Sequence, residues 1–171
     1  MSTESAAAIS AVRRDWLTEH REMYLCSGGV QGHIMDITAV GGRFFATHCM
    51  IKYIGRKSGK VFITPLCYAD IGGEVVICAS KGGADVHPEW YLNLREMTTV
   101  DFQVATQAFR GTWREPQGAE RTKIWAFMAD CFPFYETYQS STSRVIPLVM
   151  LKASAPIAVF KEDDVTGARQ F

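Results

Sequence analysis

Arg56-Lys57-Ser58-Gly59-Lys60 brings three cations, a hydroxyl and a flexible backbone together within five residues. An arginine fork and the N–H groups of a glycine turn both suit a phosphate or carboxylate. A second turn, Ser80-Lys81-Gly82-Gly83, again sets a cation beside glycines, where bare backbone can approach a planar or phosphorylated ligand. Each turn alone reads equally well as solvated surface. Between them runs "VFITPLCYADIGGEVVICA", an apolar hairpin that can bring both turns to one rim of a sheet. That connection favours a shared phosphorylated cofactor or metabolite.

Two aromatic sets border these turns. His87, Trp90 and Tyr91 follow the second turn, and Phe132, Phe134, Tyr135 and Tyr138 crowd a proline-containing stretch further on. The phenylalanines suit ordinary packing. Tyr135 and Tyr138, three apart on a possible turn, would add hydroxyls to an apolar pocket. The histidines His20, His33, His48 and His87 are scattered, without metal-ligand spacing. The five cysteines are odd in number and contain no C-x-x-C pair, so neither a disulfide framework nor a zinc site is signalled and a reducing setting fits. No serine, cysteine and acid arrangement declares a nucleophile. Chemistry supplied by a cofactor would explain that absence.

These residues must be positioned by a chain of 171 residues, enough for a single domain with a proper core. Its formal net charge is +0, which argues against nucleic acid as a partner and makes any anion site local. The start of the chain lacks the pattern of a signal peptide, and no run is long enough to span a membrane, so a cytoplasmic protein is expected. Ile9, Val12, Trp16, His20 and Tyr24 recur at helical spacing and predict a helix over about 9–26. A glycine-flanked loop with one short strand should follow, then a strand over 44–54. The hairpin has arms 63–69 and 74–79 around "DIGG", and Pro65 in its first arm requires a bulge or an edge.

Pro88 can open a short helix over 88–96. "VDFQVATQAFRGTWRE" alternates as one long strand bulged near Gly111, with Val100, Phe102 and Val104 facing one way. A helix over 118–131 carries the stripe Ile124, Phe127, Met128 and Cys131 and ends at Pro133. A last strand covers 144–151, and the tail over 153–171 is weakly patterned. The order predicts a compact sheet or barrel with helices around it, not alternating βαβ units.

"IGRKSGK", "TPLCY", "GGEVVICASKGGADVHPEWYLNL" and "FPFYETYQSSTSRVIPLVML", in this order, resemble the deazaflavin-dependent nitroreductase family of mycobacteria and related actinobacteria. The likeness runs from about Ile51 to Leu151. It implies a mainly β fold with flanking helices, a split β-barrel like that of the FMN-binding, pyridoxamine-phosphate-oxidase group. It also implies coenzyme F420, a deazaflavin with a phosphate and an oligoglutamate tail, as hydride donor. By the same resemblance Arg56, Lys57 and Ser58, in a turn completed by Gly59 and Lys60, hold the phosphate and the start of the tail. Pro65 and Leu66 lie along the deazaflavin. Ser80, Lys81, Gly82 and Gly83 close on its other side, with His87, Pro88, Trp90 and Tyr91 behind them.

Tyr135, Tyr138 and Ser143 fall in the segment that resembles the substrate-side wall. The two tyrosines are the candidate hydrogen-bond or proton donors. Phe62 stands where the family commonly has an arginine, and Cys67 where an aromatic often follows the Pro-Leu pair. The implied reaction is hydride transfer to a quinone, a nitroaromatic or an activated double bond, so the partner is a small apolar or aromatic electrophile. An FMN-dependent reductase and a non-catalytic carrier of the coenzyme or an apolar ligand are the alternatives. A homodimer, and weak contact of the first helix with a membrane surface, complete the expectations.

Overall fold

The computed structural model describes residues 16–167. The first helix, α1, is helical over 16–26; Ile9 and Val12 lie outside the described residues. Trp16, His20 and Tyr24 share one face, with His20 and Tyr24 buried. After it come β1 (Ile34–Met35), β2 (Ala46–Ile54), β3 (Val61–Ile71) and β4 (Glu74–Cys78). The short helix α2 (Glu89–Leu94) leads to β5 (Val100–Val104) and β6 (Gln107–Arg114). Then α3 (Gly118–Cys131), α4 (Phe134–Ser140) and β7 (Leu148–Ile157) complete the main elements.

Every strand pairing is antiparallel, in the order β2-β3-β4-β7-β6-β5, and β5 returns to β2. The six strands therefore form a closed barrel, while β1 extends the start of β2 through Ile34 and Thr47. Closure is possible because each strand contributes alternate residues to one interior. Ile51 and Tyr53 of β2, Phe62 of β3, Ile77 of β4, Phe102 of β5 and Leu151 of β7 meet there, joined by Trp90 and Leu94 of α2. The opposite face of β4 and β7 packs on α3 and α4 through Val76, Cys78, Leu148 and Met150 against Ile124, Met128 and Tyr135. Tyr24 and Leu25 of α1 cover Met50, Ile63 and Ala108 on a third side.

Pro65 sits opposite Met50 in the β2–β3 ladder. The β3–β4 ladder, by contrast, holds only Tyr68 to Ile71 of β3. Pro65 thus lies on the half of β3 that has a neighbour on one side, where its missing N–H is tolerated. Beyond this ladder β3 and β4 part, and the space between them becomes the candidate site.

Four sequence readings need correction. The stretch over 100–114 is two strands, β5 and β6, turning at Ala105 with a positive φ of 50°. Nothing in "ATQ" announces a turn; Tyr24 and Gln103 impose it, the Tyr24 hydroxyl accepting the Ala105 N–H at 2.7 Å and Gln103 Nε2 donating to the Ala105 carbonyl at 2.9 Å. The irregularity at Arg110 and Gly111 is present in the β6–β7 ladder. The last strand begins only after Pro147 and runs to Ile157, because β6 pairs it through residues expected in the tail. Phe127 is 45% exposed rather than part of the buried stripe of α3, which rests on Ile124 and Met128. Phe134 to Ser140, read only as a possible turn, is the helix α4.

Candidate functional site

A cavity of about 250 Å³ opens where β3 and β4 separate. Its walls come from six elements: Trp16 and Leu17 of α1, His48 of β2, Thr64 to Cys67 of β3, Cys78 of β4, Pro88 to Trp90 at the start of α2, and Phe134, Tyr135 and Tyr138 of α4. Ser80, Lys81 and Gly82 close one side. Most of this lining is apolar or aromatic, with a few convergent polar groups, the composition expected of a small-molecule site.

The two cationic turns reach the same end of the barrel, because one precedes β3 and the other follows its antiparallel neighbour β4. Glu89, at the first position of α2, joins them. Its carboxylate accepts from Arg56 Nη1 at 2.7 Å and is held below the usual carboxylate range, first by that bond and also by the Arg56, Lys57 and Lys81 charges. Arg56 is further fixed by Asn93, whose Oδ1 accepts both its backbone N–H at 3.0 Å and its guanidinium at 2.8 Å. Among the described residues Lys57, Lys60 and Lys81 make no ion pair. The first turn closes on itself through Gly55, whose carbonyl accepts from Ser58 and Gly59, and the Ser58 hydroxyl accepts the Lys60 N–H at 3.3 Å.

In the second turn Lys81, Gly82 and Gly83 have φ of 49°, 64° and 81° in succession. Gly83 is required for a reason unrelated to a ligand. A Cβ there would lie 2.7 Å from the Tyr138 carbonyl and 3.0 Å from its Cα, so only glycine lets the turn rest on the α4 backbone. The turn is also gripped by Arg144, whose Nη2 donates to the Ser80 carbonyl at 2.6 Å.

Of the residues singled out in the sequence, Pro65, Leu66, Ser80, Lys81, Gly82, Pro88, Trp90, Tyr135 and Tyr138 line the cavity. Arg56 stands at its edge through its contact with Glu89, and Lys57 is near enough to act on the same carboxylate, whereas Ser58, Gly59 and Lys60 are outside the lining. His87 packs on Tyr91 at 5.0 Å between rings, and the Tyr91 hydroxyl donates to Glu115 at 2.7 Å, both outside the lining. Ser143 is exposed and absent from the wall. Phe62, where the resemblance implied an arginine, is buried and stacked on Tyr53 with ring centroids 5.6 Å apart.

The tyrosines differ. Tyr135 is buried among Phe132, Phe134 and Trp125 with its hydroxyl beside the Cys78 thiol, and burial keeps the phenol protonated. Tyr138 is half-buried, and among the described residues its hydroxyl makes no hydrogen bond.

Sequence reasoning passed over His48, Glu89 and Arg144. His48 Nδ1 donates to the Ala46 carbonyl at 3.0 Å, which leaves Nε2 to accept from the Cys67 thiol at 3.3 Å. Burial, with His20 edge-on at 4.6 Å, lowers its pKa to about 3, and burial pushes the Cys67 thiol up to about 12. The pair is therefore a neutral thiol and imidazole. Glu89 alone had a sequence signal, an acid directly after the helix-opening proline.

A sequence model of the family described as F420H(2)-dependent quinone reductase matches residues 19–153. An F420H(2)-dependent quinone reductase of Mycobacterium tuberculosis is 35% identical over 105 residues, 60% of this chain and 70% of that protein. Among solved structures, an F420-H2 dependent reductase superposes with a TM-score of 0.57 at 34% identity, covering 61% of this chain and 93% of its own. A further structure, described as a domain-swapped dimer, has a TM-score of 0.59 at 32% identity and covers 81% of this chain and 98% of its own.

Proposed function

Because the chain belongs to the F420H(2)-dependent quinone reductase family, we propose that it binds reduced coenzyme F420 in the β3–β4 cavity and reduces a quinone there. The observation that supports this reading is the meeting of two cationic turns at the edge of one largely apolar cavity. That donor set fits a ligand with a flat apolar ring system and an anionic tail. When bound, the coenzyme supplies a hydride.

The chain's own residues provide the rest. Lys57 and Lys60, with Arg56 held at the edge by Asn93, take the phosphate and the first carboxylates of the tail. Pro65 and Leu66 form the wall along the ring system, and Ser80 to Gly82 form the opposite one. Trp90, 5% exposed, and Phe134 exclude water, which strengthens every polar contact inside. Tyr138 donates to the quinone oxygen as negative charge develops there, since its hydroxyl is not engaged elsewhere. Holding the acceptor carbon about 3–3.5 Å from the donor is a large contribution of such a site. A nitroaromatic ring or an activated double bond fits the same apolar walls as a further acceptor.

A second copy of this chain is the proposed partner, in line with the domain-swapped dimer among the similar structures; light scattering of the purified protein reads it directly. The described part of α1 turns His20, Arg21, Tyr24 and Leu25 into the protein. It leaves no continuous apolar face for a membrane surface, and no helix among the described residues is long and apolar enough to cross one.

The test is a fluorescence titration with oxidised coenzyme F420 across salt concentrations, followed by turnover with the reduced coenzyme and a naphthoquinone. Lys57→Ala leaves the buried Asn93 contact intact, and the Arg56→Ala, Lys57→Ala pair removes both cations. Micromolar or tighter binding that weakens with salt and falls stepwise in the variants is expected, with quinone-dependent oxidation. Binding without oxidation would make the protein a carrier, and no binding would end the cofactor reading.

A further inference from the structure

The turn from Ser80 to Gly83 is costly to hold. Lys81 is a non-glycine residue at a φ of 49°, a conformation that L-residues disfavour. Two glycines follow it, so backbone freedom in the unfolded chain is high. The turn's own bonds are few: Gly83 N–H to the Ser80 carbonyl at 3.0 Å and Ala84 N–H to the Lys81 carbonyl at 3.3 Å. Yet Ser80, Lys81 and Gly82 form a wall of the cavity.

One side chain from a distant part of the sequence meets this segment repeatedly. Arg144, in the loop between α4 and β7, donates Nε to the Ala84 carbonyl at 2.7 Å. Its Nη1 donates to the Ala79 carbonyl at 3.2 Å and to His87 Nδ1 at 3.2 Å, and its Nη2 donates to the Ser80 carbonyl at 2.6 Å. A planar five-donor fork can satisfy such divergent acceptors at once, and an ammonium cannot. Arg144 is itself fixed from the other side. Gln139 of α4 donates to the Arg144 carbonyl at 2.8 Å and accepts the Ile146 N–H at 3.0 Å, and Arg121 of α3 donates to the Ile146 carbonyl at 2.7 Å.

The charge is also unusual. Among the described residues Arg144 forms no ion pair. Asp85, the nearest acid to act on it, accepts instead from Thr142 Oγ1 at 2.8 Å. A half-buried cation faced by carbonyls and a neutral imidazole is a poor choice for stability alone. With Lys81 it sets two cations at the turn, one behind it and one in the cavity wall.

We propose that Arg144 is a positioning residue for the anionic cofactor: it clamps the left-handed Ser80–Gly83 turn in its binding shape and adds a positive charge behind it that is held in no ion pair among the described residues. This rests on the reading of the cavity as the F420 site. It acts through the turn, so it sets cofactor affinity and not the rate of the bound complex.

The experiment compares Arg144→Ala, Arg144→Gln and Arg144→Lys with the parent protein. Amide exchange in residues 79–87 is read first, without ligand, so it does not depend on the cofactor reading. The affinity for oxidised coenzyme F420, and kcat and KM for the reduced coenzyme with a naphthoquinone, are read second. Arg144→Ala should exchange at least tenfold faster in that segment alone, bind the coenzyme at least tenfold more weakly, and keep kcat within about twofold at saturation. Arg144→Lys should fall between the two, and Arg144→Gln serves if the alanine variant does not fold. Unchanged exchange in the segment, unchanged affinity, or a loss confined to kcat would each overturn the proposal. Failure of the parent protein to bind the coenzyme, with exchange still accelerated in the variants, would instead sink the cofactor reading and leave the clamp standing.

Discussion

At the scale of single residues, the tyrosine pair separates into two roles. Tyr138 lines the cavity with a hydroxyl that has no partner among the described residues, whereas Tyr135 is 4% exposed and set beside Cys78. A proton donor must meet the acceptor and then be resupplied from solvent, and Tyr138 is the better placed for both. Tyr138→Phe should lower kcat for quinone reduction by about a hundredfold, the lower end of general-acid effects, with coenzyme affinity unchanged. Tyr135→Phe should leave kcat within a few-fold. Steady-state kinetics of the two variants side by side decides it, and equal losses would mean that neither hydroxyl is singled out.

At the scale of elements, the β5–β6 turn shows how tertiary contacts override local preference. Ala105 occupies a φ of 50° because Tyr24 of α1 and Gln103 of β5 hold its N–H and carbonyl. Gly29 then fits against it; a Cβ at that glycine would fall 1.8 Å from the Ala105 carbonyl oxygen. The two hydrogen bonds are to backbone atoms, so a change of residue at 105 retains them. Ala105→Gly should therefore stabilise the protein by about 0.5–1 kcal/mol, the relief of the left-handed strain less the entropy of glycine. Urea unfolding with an unchanged m-value checks it, and a loss of stability would mean that the methyl group contributes packing that outweighs the strain.

At the scale of the whole molecule, histidines buried without charge tie stability to pH. His48 has its pKa lowered to about 3, by burial first and then by His20, and His20 and His33 are lowered in the same direction by burial. The unfolded chain titrates its histidines near pH 6.5. Between those values the unfolded state binds more protons, so stability is full above about pH 6.5 and falls as the pH drops toward 3. His48 alone should account for a loss on the order of 2 kcal/mol between pH 7 and pH 5. Denaturant unfolding at both pH values measures it. His48→Gln should be less stable at pH 7 but show a smaller difference between the two, and an undiminished difference would place the titration elsewhere.

How much of this was legible in the sequence follows from the range of the interactions involved. Hydrophobic alternation, the "DIGG" turn and the helix-opening Pro88 act within a few residues, and they suffice for most strands, for α2 and α3, and for the meeting of both cationic turns at one end of a hairpin. The motif order, which spans most of the chain, carries the barrel and the coenzyme. Long-range contacts decided the rest. The β5–β6 turn depends on a tyrosine from α1, and the length of β7 depends on pairing with β6. The fate of Arg56 depends on Glu89 and Asn93, and the shape of the second turn depends on Arg144, sixty-four residues from the Ser80 carbonyl it grips. A guanidinium can be aimed at distant carbonyls by any chain path that delivers it, so local patterning holds no trace of the clamp. Only the closed barrel, which brings the ends of β4 and α4 together, makes those carbonyls and that arginine neighbours.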